Sequence, residues 1–160
     1  MGKKKKSDGY TSMGLHSNVS KDTLKAMRKE RSHLDTMINK YDAFKKGRAA
    51  IVAGAYDVRD EQAAIVSTKL SMIIGRKAAD YLKSYVAKRN DGKWADAHHA
   101  LSEGWGFILS LQFTKNAATG APYYSNTEVN QMLSDIDNFW TVSTTDLESM
   151  ASAIESKFGL

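Results

Sequence analysis

The chain contains no cysteine and only one proline among its 160 residues. Without cysteine, it can form neither disulfides nor thiolate metal sites. No apolar run approaches the roughly 20 residues that a membrane-spanning helix needs, and the N-terminus lacks the charged-then-apolar pattern of a signal peptide. The scarcity of proline, together with long periodic stretches of apolar residues, favours helices.

Positive charge is concentrated near the N-terminus. Residues 1–48 contain 13 Lys and Arg against 5 Asp and Glu, a net charge of +8, whereas residues 49–160 contain 10 against 13, a net charge of −3. We predict a flexible basic arm over residues 1–20 and one helical domain over residues 21–160. The run Lys3–Lys6 would let the arm contact nucleic acid or anionic lipid, or the arm is simply a solvated tail.

Hydrophobic periodicity predicts an all-α bundle of about five helices. The first three run from about Ser20 to Val52, from the turn at Gly54–Asp57 to about Lys88, and from near Trp94 to Phe113; two short helices begin at the capping-box pairs Ser125/Glu128 and Thr145/Glu148. The breaker Asn90-Asp91-Gly92 separates the second and third helices, and Lys115–Tyr124 is predicted to be a surface loop.

The third helix is predicted to be the most buried element. Its second half, Gly104–Phe113, has no charged residue and is apolar around most of its circumference. The small residues Gly104, Gly106 and Ser110 favour close approach of a neighbouring helix over a ligand pocket. All three tryptophans fall at apolar helical positions and are therefore predicted to lie in the core: Trp94, Trp105 and Trp140.

Ionisable residues at the start of the third helix are the candidate site. His99 and Glu103 are four residues apart and share a helix face, so both could ligate one metal ion. The alternative is a structural ion pair between Glu103 and Arg48, because Arg48 falls inside an apolar stripe of the first helix and needs a carboxylate if it is buried. In that interpretation His99 adds a hydrogen bond.

Catalytic signatures are missing from the sequence. The zincin spacing, a nucleophile elbow and a glycine-rich phosphate loop are all absent. We therefore assign no catalytic residue, and the only cofactor that the residues suggest is a metal ion at His99 and Glu103.

Five collinear segments resemble the C-terminal half of a family of bacterial envelope lipoproteins of unknown function. They are Asp42–Ile51, Tyr56–Asp60, His99–Glu103 with Gly106-Phe-Ile, Tyr123–Val129 and Lys157–Leu160. That family is in turn distantly similar to the imelysins, helical proteins associated with iron uptake. The resemblance implies an imelysin-like half and a periplasmic or cell-surface location.

The chain departs from that pattern in two places. Members of the family have a signal peptide, a lipid-attachment cysteine and an N-terminal helical half, none of which this sequence contains. The imelysin arrangement of glycine, histidine and glutamate is also not reproduced, because His99 and Glu103 have one residue too many between them.

Three functions follow as hypotheses. The first is a non-catalytic binding or assembly domain of a bacterial envelope protein, linked by resemblance to iron or haem acquisition. The second is a small basic adaptor whose N-terminal arm binds nucleic acid, and the third is a metal-dependent enzyme centred on His99 and Glu103. We expect a homo-oligomer, or a complex with a separate chain that replaces the family's N-terminal half, because the first two helices carry more apolar surface than one bundle needs.

Overall fold

The computed structural model describes residues 41–160, which fall within one compact unit. The predicted all-α bundle is confirmed. Helix α1 covers the described residues 41–52; it is followed by α2 (Tyr56–Asn90), α3 (Trp94–Ser110) with a 3-10 turn (Leu111–Phe113), α4 (Asn126–Asp135) and α5 (Thr144–Phe158). The predicted basic arm and residues 20–40 of the predicted first helix lie outside the described residues.

The breaks between the first three helices fall at glycines with left-handed backbone. Gly54 has φ of 69° and follows the end of α1, while Gly92 has φ of 75° and follows the end of α2. An L-amino acid with a side chain adopts this conformation only at a cost, so both positions stop a helix and favour a turn. The predicted breaker at Asn90-Asp91-Gly92 is therefore confirmed.

The second half of α2 is the centre of the bundle. Its buried residues begin at Ser71 and extend to Val86, and this half packs against both α3 and α5. The first half, Tyr56–Leu70, contains no buried residue. The apolar residues on two sides of α2 are therefore buried against neighbouring helices only in the second half of the helix.

Helix α3 is buried on one side only, whereas its apolar circumference predicted burial on most sides. Ala97, Leu101 and Ile108 face the core and are fully buried, but Trp105 is 37% exposed and Phe113, after the helix, is 77% exposed. The helix contacts α2 and α4 on its inner side, and two helices cannot surround a third. The prediction that the tryptophans lie in the core is also wrong, because Trp94 and Trp140 are 42% and 67% exposed.

A capping box fixes the start of α4 as predicted. The Ser125 hydroxyl accepts a hydrogen bond from the Glu128 backbone N–H, and the Glu128 carboxylate accepts one from the Ser125 N–H at 2.7 Å. Helix α5 begins differently from the prediction: its N-cap is Ser143, whose hydroxyl accepts from the Asp146 N–H, and Thr145 lies inside the helix. Two Ser/Thr positions compete for this cap, and sequence spacing alone does not choose between them.

Glu128 also ties α4 to α5. Its other carboxylate oxygen is 2.7 Å from Lys157 Nζ, and the hydrogen bonds from Lys157 and Ser125 lower the pKa of Glu128 to about 2. Because the folded pKa is below the ordinary value of 4.5, the carboxylate stabilises the fold above pH 4.5, and this contribution is lost as the pH falls towards 2.

We expect Glu128→Gln to lower the free energy of unfolding at pH 7 by about 1 kcal/mol, a value kept small because the pair is half exposed. The difference from wild type should shrink progressively from pH 4.5 towards pH 2, as measured by urea unfolding. Glu148→Gln is the matched control, since Glu148 is exposed and forms no salt bridge within residues 41–160. Equal losses of unfolding free energy in Glu128→Gln and Glu148→Gln at pH 7 would contradict the stabilising role assigned to Glu128.

Candidate functional site

The structure brings His99 and Glu103 together on the outer face of α3. His99 Nε2 is 3.6 Å from Glu103 Oε1, and the two side chains are 71% and 40% exposed. Glu103 also accepts a hydrogen bond from Tyr81 on α2, which raises the pKa of the Tyr81 phenol because ionisation would place two negative charges side by side. The His99 and Glu103 side chains of this cluster lie at the surface.

A metal ion at His99 and Glu103 stays a prediction. Within residues 41–160, no group of three or more His, Cys, Asp or Glu side chains is arranged to hold a metal ion. Two ligands on one helix leave most coordination positions of a transition metal to water or to another chain.

The structure does not bring Arg48 to Glu103. Arg48 is exposed on α1 and lines a groove with Gln62 and Val66 of α2, whereas Glu103 contacts Tyr81. Val66 and Tyr81 are separated by about 22 Å along the helix axis at 1.5 Å per residue. Arg48 is thus a solvated cation, and the reason for expecting a buried carboxylate partner disappears.

The small residues of α3 divide into two groups. A Cβ on Gly104 would lie 3.2 Å from Tyr81 Cβ, so this glycine permits close packing of α3 on α2, as predicted. A Cβ on Gly106 would meet no atom within 4 Å, so Gly106 faces open space and no helix packs there.

Aromatic rings surround His98, a residue that the sequence prediction did not assign to the site. The His98 and Trp140 ring centroids are 4.1 Å apart with nearly perpendicular planes, and Trp94, Tyr85 and Phe139 lie within 6.5 Å. His98 Nε2 is buried and has no hydrogen-bond partner within the described part of the chain. The spacing of Trp94 and His98, one helical turn apart, is the only sequence signal of this cluster, because Phe139 and Trp140 come from the loop between α4 and α5.

The end of α2 fixes this loop in place. The Tyr85 hydroxyl donates a hydrogen bond of 2.6 Å to the Phe139 carbonyl, and Arg89 donates one to the Val142 carbonyl. The Arg89 guanidinium also lies over the Trp94 ring, 5.2 Å from its centroid. Two carbonyls on either side of Trp140 are therefore held by one helix.

An unusual apolar surface is formed by α1 and the first half of α2, which together make a helical hairpin. Eight large apolar side chains in this hairpin are more than 40% exposed, and we call them the hairpin surface: Tyr41, Phe44, Ile51, Val52, Tyr56, Val58, Ile65 and Leu70. A groove of about 470 Å³ runs between the two helices, with Phe44, Ile51 and Leu70 among its lining residues. Arg48 and Arg59 are the charged residues among its described lining residues.

Exposed apolar side chains in such number are uncommon on a monomeric protein and typically mark an interface. Individual exposed apolar residues need no explanation, but these eight come from one stretch of 30 residues that contributes almost nothing to the core. No helix within residues 41–160 combines the length and the hydropathy that a membrane crossing requires.

Comparisons with known proteins identify one family. No curated protein and no solved structure matches the chain. A family model described as a domain of unknown function, DUF4856, matches residues 7–160. Because that match covers nearly the whole sequence, the chain belongs to the DUF4856 family.

Proposed function

We propose that this domain is a non-catalytic assembly module that self-associates through the hairpin surface. The observation that carries the proposal is the exposure of large apolar side chains along α1 and the first half of α2, where Phe44 and Ile51 are 59% and 56% exposed. Within residues 41–160 the hairpin has no third layer against which to bury these apolar side chains, so a partner surface would bury them.

A second copy of the hairpin is the partner that the geometry favours. Two helical hairpins packed face to face make a four-helix bundle, which is a stable and common arrangement. Two-fold dimers are also the commonest oligomers, and in them one self-complementary surface serves both subunits. Arginine is enriched at interfaces, which agrees with Arg48 and Arg59 beside the groove.

Crosslinking through a single introduced cysteine tests the location of the interface. The chain has no cysteine of its own, so a thiol placed at one position is unique. Phe44→Cys, treated with a short bismaleimide, should give covalent dimers in high yield. Phe113→Cys is the matched control because Phe113 is equally apolar and 77% exposed, but lies outside the hairpin. Equal dimer yields at the two positions would contradict the proposal.

The cellular setting is proposed from the resemblance of residues 40–160 to bacterial envelope lipoproteins alone. On that basis the assembly would operate in the periplasm or at the cell surface, in iron or haem acquisition. Metal analysis and the visible absorption spectrum of the purified protein test this part separately. If the purified protein takes up neither iron nor haem, the proposed link to iron or haem acquisition is wrong, whereas the assembly proposal is unaffected.

A further inference from the structure

A shallow cavity of about 520 Å³ lies beside α3, and its volume is in the range of small-molecule sites. It is lined by His98 of α3 and by four consecutive residues of the loop between α4 and α5: Asp137, Asn138, Phe139 and Trp140. None of these residues belongs to the hairpin surface. The cavity is therefore a feature of the bundle and is independent of the proposed assembly.

The polar groups that line this cavity have acceptor capacity. Asp137 supplies a carboxylate, and the Asn138 side-chain oxygen, which accepts from the Trp140 N–H at 3.1 Å, retains a second lone pair. Neutral imidazole adds one acceptor nitrogen from His98. Among the described residues, no lysine or arginine lines the cavity.

The two aromatic walls add negative potential of a different kind. Phe139 and Trp140 line the cavity, and the faces of aromatic rings carry the negative part of the ring quadrupole, which attracts cations. The Trp140 ring also stacks on Trp94, with ring centroids 6.5 Å apart. Trp140 is 67% exposed, so part of its indole ring is free to contact a ligand. Behind these walls, Tyr85 and Trp94 lie close to His98 and extend the aromatic surroundings.

The cavity is also held in shape before any ligand arrives. Tyr85 and Arg89 fix the carbonyls of Phe139 and Val142, so the loop that carries Trp140 is anchored on both sides. A preorganised loop lowers the ordering cost of binding. The Arg89 guanidinium donates to the Val142 carbonyl and lies over Trp94 instead of lining the cavity.

One polar atom in this cluster lacks a partner. His98 Nε2 is buried and forms no hydrogen bond to any described residue, which is costly in a packed protein and is uncommon without a compensating role. Its ring lies against Trp140, the most exposed member of the cluster.

We propose that this cavity binds an organic cation, a protonated or quaternary amine, whose charge is received by Asp137 and by the faces of Trp140 and Phe139. The carboxylate supplies the opposite charge, and the rings supply an apolar surface that tolerates a cation. A neutral molecule of the same shape gains only the apolar contact.

Choline is the probe, and its uncharged isostere dimethylbutanol, in which a carbon replaces the quaternary nitrogen, is the comparison. Titration of the full chain is followed by the NMR signals of the Trp140 indole N–H and the His98 ring. Choline should shift both signals saturably, and the isostere should bind about 10-fold more weakly because it loses the cation–π and carboxylate attraction.

Variants separate the cavity from other surfaces. Asp137→Asn and Trp140→Ala should each weaken choline binding several-fold, with folding retained because both side chains are exposed. Trp105→Ala, which removes an exposed tryptophan elsewhere on α3, and Phe44→Asp, which alters the hairpin surface, should leave the affinity unchanged. Equal affinity for choline and the isostere, no saturable shift, or unchanged binding in Trp140→Ala would overturn the proposal.

Discussion

Replacing Phe158 by alanine is expected to lower the free energy of unfolding by about 3–5 kcal/mol. Phe158, in the last turn of α5, is 4% exposed, and its ring stacks on Tyr123 with centroids 3.9 Å apart. The ring fills the space that Gly75 leaves open on α2, so it joins α5, α2 and the loop before α4. Its removal leaves a cavity at the place where these three segments meet.

Gly75 provides a second test of the same contact. A Cβ built on Gly75 would lie 2.7 Å from the Phe158 ring, so Gly75→Ala should destabilise the wild-type chain by about 1–3 kcal/mol through overpacking. In the Phe158→Ala background that clash is gone. There the same substitution should stabilise by about 0.5–1 kcal/mol, because alanine is the better helix former.

Urea unfolding of the two single variants and the double variant measures this coupling directly. Phe113→Ala is the control, since Phe113 is 77% exposed and its loss should change the free energy of unfolding by no more than about 0.5 kcal/mol. A loss below about 1 kcal/mol for Phe158→Ala, or a Gly75→Ala effect with the same sign in both backgrounds, would show that α5 does not pack on α2 in this way.

The second large effect is expected on assembly. In the variant Phe44→Asp/Ile51→Asp, two carboxylates replace apolar side chains at the centre of the hairpin surface, and burying each in an interface costs at least about 1.5 kcal/mol. The dimer dissociation constant should therefore rise about 100-fold or more. Both positions are more than half exposed in the single chain, so helicity and the unfolding midpoint of the monomer should change little.

Sedimentation across a concentration series measures this dissociation constant, with Phe113→Asp as the control that adds one carboxylate to an exposed apolar site outside the hairpin. The control should associate like the wild type. If the control dissociates as readily as the double variant, the effect is one of net charge and not of the hairpin surface.

Local sequence patterns were sufficient for the all-α class, the break at Asn90-Asp91-Gly92 and the capping box at Ser125/Glu128. Each depends on backbone conformation or on contacts within one helical turn. Such features are encoded by nearest neighbours, although the start of α5 shows that two neighbouring Ser/Thr positions leave the choice of cap open.

Burial was harder to predict because it depends on how many neighbours each helix has. The apolar circumference of α3 predicted a central position, but within residues 41–160 its main helical neighbours are α2 and α4, both on its inner side, which leaves Trp105 at the surface. The apolar stripe around Arg48 likewise predicted burial of a cation that the structure exposes. Apolar composition does not distinguish a core face from an interface face, and here much of it belongs to the hairpin surface.

The His98 cluster shows the same limit for the candidate site. Trp94 and His98 are one turn apart and predictable, but Trp140 is 42 residues from His98 in sequence and reaches it only through the anchored loop. Contacts between distant segments require the three-dimensional arrangement of α2, α3 and the loop.

The central claim is that this chain associates through the hairpin surface, and the molar mass of the wild-type protein tests it most directly. Light scattering at micromolar concentrations should give twice the chain mass of 17.7 kDa, and the Phe44→Asp/Ile51→Asp variant, measured beside it, should give the mass of one chain. A wild-type mass of 17.7 kDa throughout that range, together with no binding of a hydrophobic dye, would contradict the account.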